Sequence, residues 1–185
     1  MTIPSSSDPD ARALAIFTSL GRFIVSFEKV CAAMRQCIHI IFHREGLRNQ
    51  GLSQVVVNGK PFSILREVLA ATYSELRDQD KDDRAIVAKL LIEVNALAEE
   101  RNRLLHAEWF TNSNYEGATD EFIALTIKLS ASQKDGAYFV PVGVSAASLE
   151  CSKVNATRSL ARLKQLAVCL NQSGYKVSEF LARPL

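Results

Sequence analysis

The chain has 185 residues, 48% of them hydrophobic, which is typical of one globular domain with a single core and excludes a disordered chain. Its 22 basic and 20 acidic residues give a formal net charge of +2, far from the strongly basic composition of a dedicated DNA-binding domain. Any contact with nucleic acid is therefore expected to be a local patch.

The four cysteines, Cys31, Cys37, Cys151 and Cys169, form no Cys-x-x-Cys pair, and the chain does not begin with a signal-peptide pattern. We therefore expect reduced, buried thiols and a cytoplasmic location. No apolar run approaches the roughly 18 residues that would suggest a membrane span, so no membrane partner is expected.

The first nine residues are polar and hold two prolines, which predicts a disordered lead over residues 1–9. Asp8 and Pro9 match an N-cap followed by proline at the first helical position, so a long helix is predicted from Pro9 to about residue 45. Its apolar residues recur at steps of three and four. They are Leu14, Phe17, Leu20, Phe23, Ile24, Phe27, Val30, Cys31, Met34, Ile38, Ile41 and Phe42.

Residues 46–60 contain three glycines and an Asn-Gly pair, which predict an irregular connection. A second helix is expected from Phe62 to about Arg77. The charged segment after it predicts caps and a turn before a third helix, from about Asp82 to Trp109.

Alternating apolar residues in 121–129, followed by 137–144, predict two hairpin strands, and Pro141 places the second strand at a sheet edge. A last helix is expected over residues 145–171, with Leu149, Val154 and Leu163 on its inner stripe. The predicted fold is mainly α: four helices with a β-hairpin inserted before the last helix, in one domain over residues 10–185.

Arg101 is unusual because its neighbours three and four positions away on the third helix are all apolar. A guanidinium keeps its charge and must meet an anion or open water, since an unpaired buried ion costs several kcal/mol. Glu28 on the first helix is also set among uncharged neighbours, so it is a candidate structural partner. Arg103, by contrast, has Glu99 and Glu100 within helical reach.

His106 shares a helix face with Asn102 but lies about 140° around the helix from Arg101. On a single helix, Arg101 and His106 therefore lie on different faces. Two copies related by a twofold axis can pool both pairs in one cleft, which suits a phosphodiester that needs charge neutralisation and proton transfer.

The segment RNRLLHAEW, an Arg-x-x-x-x-His motif near the end of a bundle helix, resembles the signature of the HEPN superfamily. This resemblance, over about residues 10–172, implies a HEPN-like helical bundle. It also implies a metal-independent endoribonuclease that works as a homodimer in toxin–antitoxin or anti-phage defence systems, with RNA as substrate and a cognate antitoxin or other protein as partner. Ala107 stands where many relatives have glycine.

By this resemblance Arg101 holds the scissile phosphate, His106 moves a proton and Asn102 orients the site. No cofactor or metal is implied, because the ribose 2′-hydroxyl is the nucleophile and the products are a 2′,3′-cyclic phosphate and a 5′-hydroxyl. The alternative functions are a HEPN-like module that binds RNA, a nucleotide or a protein without cutting, and a structural bundle that assembles through its helices.

Each candidate residue also has a structural interpretation. Arg101 and Glu28 can form an ion pair that fixes helix packing, and His106 can be a helix-end histidine favoured by the helix dipole. Trp109 can stack on RNA bases or cap a core. Arg158 and Arg162 can contact RNA phosphates or belong to a solvated face.

His39 and His43 have a His-x-x-x-His spacing that can hold zinc, but no glutamate follows the first histidine and no third ligand is evident. No metal site is therefore predicted.

Overall fold

The computed structural model describes residues 9–110, 124–132, 136–172 and 176–181. Within these ranges the chain forms six helices and three strands. The helices are α1 (Pro9–Arg44), α2 (Gln50–Val57), α3 (Phe62–Ser74), α4 (Lys81–Leu105), α5 (Ala146–Asn171) and α6 (Val177–Leu181); the strands are β1 (Glu108–Phe110), β2 (Ala124–Ser132) and β3 (Gly136–Val144). The predicted mainly helical fold class is confirmed.

The chain divides into two compact units, each built from separate stretches of sequence. The first unit comprises residues 1–25 and 99–154, and the second comprises residues 26–98 and 155–185. Helices α1, α4 and α5 each contribute residues to both units. None of the helices in the described ranges is long and apolar enough to cross a membrane.

Helix α1 begins at Pro9, as predicted, because the fixed φ of proline suits the first helical position, where no amide donor is needed. The disordered lead was predicted over residues 1–9; Pro9 is already helical, and residues 1–8 lie outside the described residues. Most of the apolar stripe of α1 is buried from Phe23 onward, with Ile24 and Phe42 half-buried. Leu14 is 67% exposed and Phe17 is 48% exposed, although both fall on the apolar period.

Helix α2 lies within the segment predicted to be irregular, so that prediction is wrong for residues 50–57. The side chain of Asn49 caps the helix, because its Oδ1 accepts a hydrogen bond from the Leu52 amide at 3.2 Å. Gly46 and Gly59 have φ angles of 97° and 70°. These glycines end the neighbouring helical turns and frame α2 instead of excluding a helix.

Helix α4 ends at Leu105, four residues before the predicted end at Trp109. The chain then enters β1, which pairs antiparallel with β2, with Trp109 opposite Thr126. Strand β2 pairs antiparallel with β3, where Ile127 lies opposite Pro141. The strand order β1-β2-β3 places β3 at an edge, where proline removes no required ladder donor. Residues 121–123, predicted to begin the first strand, lie outside the described part.

Among the described residues of the first unit, the core combines side chains of α1, α4, α5 and the end of β3. They include Ile16, Phe23, Leu104, Val144 and Leu149. Val154, predicted to face inward on the last helix, is 54% exposed instead.

The core of the second unit is built from α1, α3, α4 and α5, with α6 at its edge. Buried side chains include Met34, Ile38, Leu65, Leu69, Tyr73, Leu90, Val94, Leu163, Leu166 and Leu181. The amide of Ser178 in α6 donates a hydrogen bond to the buried carboxylate of Asp83, at 2.6 Å. This bond ties α6, which the sequence analysis did not predict, to the first turn of α4.

All four cysteines carry free thiols, and three of them are buried as predicted. Cys151 is exposed on α5, so the prediction that every thiol is buried is wrong for this residue. The Cys37 thiol donates to the carbonyl of Leu163 at 3.5 Å, and burial raises the pKa of this thiol to about 12.

We expect iodoacetamide to alkylate Cys151 at least about 100-fold faster than Cys37 in the native protein at pH 8, because the thiolate is the reactive form and Cys37 is sealed and protonated. Mass spectrometry of tryptic peptides over a time course measures both rates. Cys151→Ser is the control and should abolish the fast phase. Equal rates at the two positions would contradict the buried placement of Cys37.

Candidate functional site

The end of α4 carries the three residues of the Arg-x-x-x-x-His motif, all within the first unit. Arg101 is half-buried, whereas Asn102 and His106 are exposed. Leu104 is buried between them and anchors this last turn in the core. The turn therefore presents polar groups to solvent while its apolar residue fixes the backbone.

Arg101 and Asn102 are joined by a hydrogen bond from Nη1 of the guanidinium to Oδ1 of the amide, at 3.0 Å. This bond places the Asn102 amide against the guanidinium of Arg101. A guanidinium can in general bind two oxygens of a phosphate. The orienting function that the resemblance implies for Asn102 stays a prediction.

His106 is the first residue after α4, and its backbone amide donates to the carbonyl of Asn102 at 3.0 Å. This bond closes the last helical turn and fixes the backbone that carries the imidazole. The exposed side chain can exchange protons with a ligand. Its position at a helix C-terminus also matches the structural interpretation, in which the helix dipole favours a cation.

Trp109 follows on β1 and is half-buried. Its indole Nε1–H donates to the carbonyl of Leu104 at 2.9 Å, and its ring centroid lies 6.1 Å from that of Phe17. Trp109 therefore links the start of β1 to the end of α4 and to α1. This packing agrees with the capping interpretation, and stacking on RNA stays a prediction.

Glu100, beside Arg101 in sequence, has two described partners in the first unit. Its Oε1 accepts a hydrogen bond from the Ser152 hydroxyl at 2.8 Å and lies 3.9 Å from Nη2 of Arg103. Arg103 is thus paired as its spacing indicated. Glu28, the predicted supporting residue, is exposed on the part of α1 that belongs to the second unit.

Arg158 and Arg162 belong to the second unit and have different surroundings. Arg158 is exposed on α5. The side chain of Arg162 is only 16% exposed, and its Nη1 lies 2.5 Å from a carboxylate oxygen of Glu93. Arg162 therefore joins α5 to α4 as an ion pair, and its contact with RNA stays a prediction.

His39 and His43 lie on the second half of α1. Nδ1 of His39 is 2.9 Å from the Ser53 hydroxyl, and His43 is exposed. No group of three histidine, cysteine or acidic side chains arranged for metal binding is found in the described ranges.

A second set of polar residues, which was not predicted from the sequence, surrounds a cavity bounded by α1, α2 and the end of α5 in the second unit. Arg35 and Ser53 both line it. The helical spacing of Arg35, His39 and His43 could have indicated one wall of this cavity from the sequence. The opposing wall could not be predicted, because the segment that forms α2 was expected to be irregular.

Comparisons with family models, curated proteins and solved structures found no match to this chain.

Proposed function

We propose that the chain is a HEPN-like, metal-independent endoribonuclease of the cytoplasm that acts as a homodimer, in a toxin or anti-phage defence role. The observation that carries the proposal is the exposed end of α4, where Asn102 holds the half-buried guanidinium of Arg101 and His106 follows in solvent. An Arg101 guanidinium fully buried in the core would have contradicted the proposal. The four-helix arrangement with a hairpin before the last helix is part of the same proposal.

In the proposed reaction the ribose 2′-oxygen forms a bond to phosphorus while the bond from phosphorus to the 5′-oxygen breaks. Arg101 neutralises the phosphate oxygens, on which charge accumulates in the transition state. His106 accepts the proton of the 2′-hydroxyl, or donates a proton to the departing 5′-oxygen. The chain ends formed are a 2′,3′-cyclic phosphate and a 5′-hydroxyl.

A dimer completes this chemistry because the two proton transfers require two groups and each chain brings one motif histidine. Arg101 and His106 lie about 140° apart around α4, so two copies can place both kinds of side chain on one phosphodiester. The first unit also exposes the apolar side chains of Leu14, Phe17 and Leu105. Exposed apolar side chains can be buried in an interface between two copies of the chain.

The test is incubation of the purified protein with total RNA in excess EDTA, with analysis of the new ends for 2′,3′-cyclic phosphate. We expect cleavage by the wild type, loss of at least about 100-fold in Arg101→Ala, and unchanged cleavage in Arg103→Ala. Arg103 is the matched control because it lies on the same helical turn but pairs with Glu100. Sedimentation should give the mass of two chains.

Folding of the Arg101→Ala variant is checked by thermal melting. We expect a loss below about 3 kcal/mol, because the side chain is only half-buried and each of its hydrogen bonds contributes about 0.5–1.5 kcal/mol. A loss of about 3–5 kcal/mol is expected for an ion sealed in a core, and would favour the structural interpretation of Arg101. A gel shift without cleavage by the wild type would replace the nuclease with an RNA-binding module.

A further inference from the structure

A cavity of about 670 Å³ lies in the second unit, within the range of small-molecule sites. One wall is the second half of α1, a second wall is the face of α2 that carries Gln50, Ser53 and Gln54, and the third is the end of α5. The turn at Gly46, with its φ of 97°, lets the chain reverse between the first two walls.

The lining of this cavity is basic. Arg35, His39 and His43 follow one another at steps of four on α1, and Arg44 lies beside them. The described lining contains no carboxylate, and its other polar groups are amides and one hydroxyl. Such a lining is complementary to an anion.

Basic residues near the end of a helix also have a simpler explanation, because they neutralise the helix dipole. This explains His43 and Arg44, which lie in the last turn of α1. Arg44 is moreover paired with Asp78, and its Nη1 donates to the Leu170 carbonyl at 3.5 Å. The dipole does not explain His39 and Arg35, because they lie further from the end of α1. His39 is about one turn before His43, and Arg35 is about two turns before it.

Arg35 has an unsatisfied donor. Its Nε is buried and has no hydrogen-bond partner among the residues that the structure describes, and none of their carboxylates pairs with its guanidinium. A buried N–H without a partner is costly, and one attached to a cation more so. A rotation of the side chain that brings this N–H to the cavity surface would let an oxygen of a bound anion satisfy it.

His39 is held in one tautomer by Ser53. The Ser53 hydroxyl donates its single proton to the Gln50 carbonyl at 2.9 Å, so its oxygen must accept from Nδ1–H of His39, also at 2.9 Å. The ligand-binding atom of the imidazole is therefore Nε2. The contact with Ser53 on α2 thus leaves Nε2 of His39 to bind a ligand.

We propose that this cavity binds a small organic phosphate, a phosphate monoester with an apolar body. The planar guanidinium of Arg35 donates to the phosphate oxygens, and Nε2 of His39, which carries no proton when Nδ1 does, accepts from the P–OH group of the phosphate monoanion. Ala32, Ile40 and Leu47 provide apolar surface for the body. A shallower cavity of about 480 Å³ shares Gln36 and Ile40 with this one and adds Lys164, which extends the basic lining.

Isothermal titration calorimetry with phenyl phosphate tests the proposal, with benzoate and phenol as probes of the same ring. We expect the wild type to bind phenyl phosphate more tightly than benzoate and not to bind phenol. Tighter binding of benzoate would reject the phosphate class. Absence of heat with phenyl phosphate at millimolar concentration would overturn the site.

The matched variants are Arg35→Gln and the control Arg77→Gln. Arg77 is an exposed arginine of the same unit that does not line the cavity. We expect Arg35→Gln to weaken the affinity for phenyl phosphate by at least about tenfold, the effect of losing one charged hydrogen bond, and Arg77→Gln to leave it unchanged. Equal affinity in the wild type and Arg35→Gln would contradict the proposal.

Chemical-shift mapping of the wild type provides a measurement that does not depend on the folding of a variant. Amide shifts caused by phenyl phosphate should be confined to residues 32–54 and 170–171, and shifts centred elsewhere would overturn the assignment. The site shares no residue with Arg101, Asn102 or His106. A negative result in the phosphate-binding experiments would therefore not contradict the nuclease proposal. Absence of RNA cleavage would likewise not contradict the phosphate site.

Discussion

Replacement of His106 by alanine is expected to lower the rate of RNA cleavage by at least about 100-fold, and by up to about 10,000-fold, the contribution of positioned general acid–base catalysis. The imidazole is exposed and makes no described side-chain hydrogen bond, so the stability of the fold should change by no more than about 0.5 kcal/mol. Cleavage is measured with a labelled RNA in EDTA, under single-turnover conditions.

Rescue by free imidazole separates a catalytic histidine from a structural one. Because the side chain lies at the surface, its removal leaves a position that small molecules can reach. We expect added imidazole to restore part of the activity of His106→Ala and to leave Arg101→Ala unchanged. Cleavage by His106→Ala at the wild-type rate would reject the assigned role of this residue and leave helix-end stabilisation as its explanation.

The largest expected effect on stability at a polar position belongs to Asp83→Ala, with a loss of about 1.5–3 kcal/mol. Asp83 is only 1% exposed, and its carboxylate accepts the Ser178 amide at 2.6 Å. Alanine leaves that amide of α6 without its charged acceptor. The corresponding fall in melting temperature is about 3–12 °C for a chain of this size.

Asp82→Ala is the matched control for this prediction. Asp82 is the adjacent acid in the same first turn of α4 but is exposed, so its replacement should cost only the helix-dipole contribution of about 0.3–1 kcal/mol. Asp83→Asn keeps an acceptor and should recover part of the loss. If Asp82→Ala and Asp83→Ala destabilise the protein equally, the bond to α6 has no measurable effect.

The sequence predicts the long helices well because local signals determine them. Proline at the first position and an apolar period near 3.6 locate α1, and the same period locates α5. The end of α4 was predicted too late because β1 depends on pairing with β2, whose residues follow 14 or more positions later. No local sequence pattern around Trp109 indicates that this segment pairs with β2.

The short helix α2 was missed because its glycines were interpreted as breakers of the whole segment. Asn49, which caps the helix, was the available signal, and Gly46 and Gly59 mark only its limits. The same error concealed the basic cavity. Arg35 and His39 were visible on α1, but Ser53 meets His39 only because α2 lies against α1.

The candidate nuclease site was predicted as a set of residues at a helix end, and the three motif residues lie there. Their exposure depends on which face of α4 the core uses. The apolar neighbours of Arg101 suggested a buried ion, whereas the helix buries Leu104 and leaves Asn102 in solvent. Tertiary packing, which the sequence pattern does not specify, makes this choice.

Trp109 is the single tryptophan of the chain and lies in the first unit, with its indole hydrogen-bonded to Leu104. Intrinsic fluorescence excited at long wavelength therefore reports on that unit alone. Far-ultraviolet circular dichroism, by contrast, follows the helices of both units. Recording the two signals during one denaturant titration thus gives a separate unfolding curve for the unit that carries Arg101 and His106, without any added label.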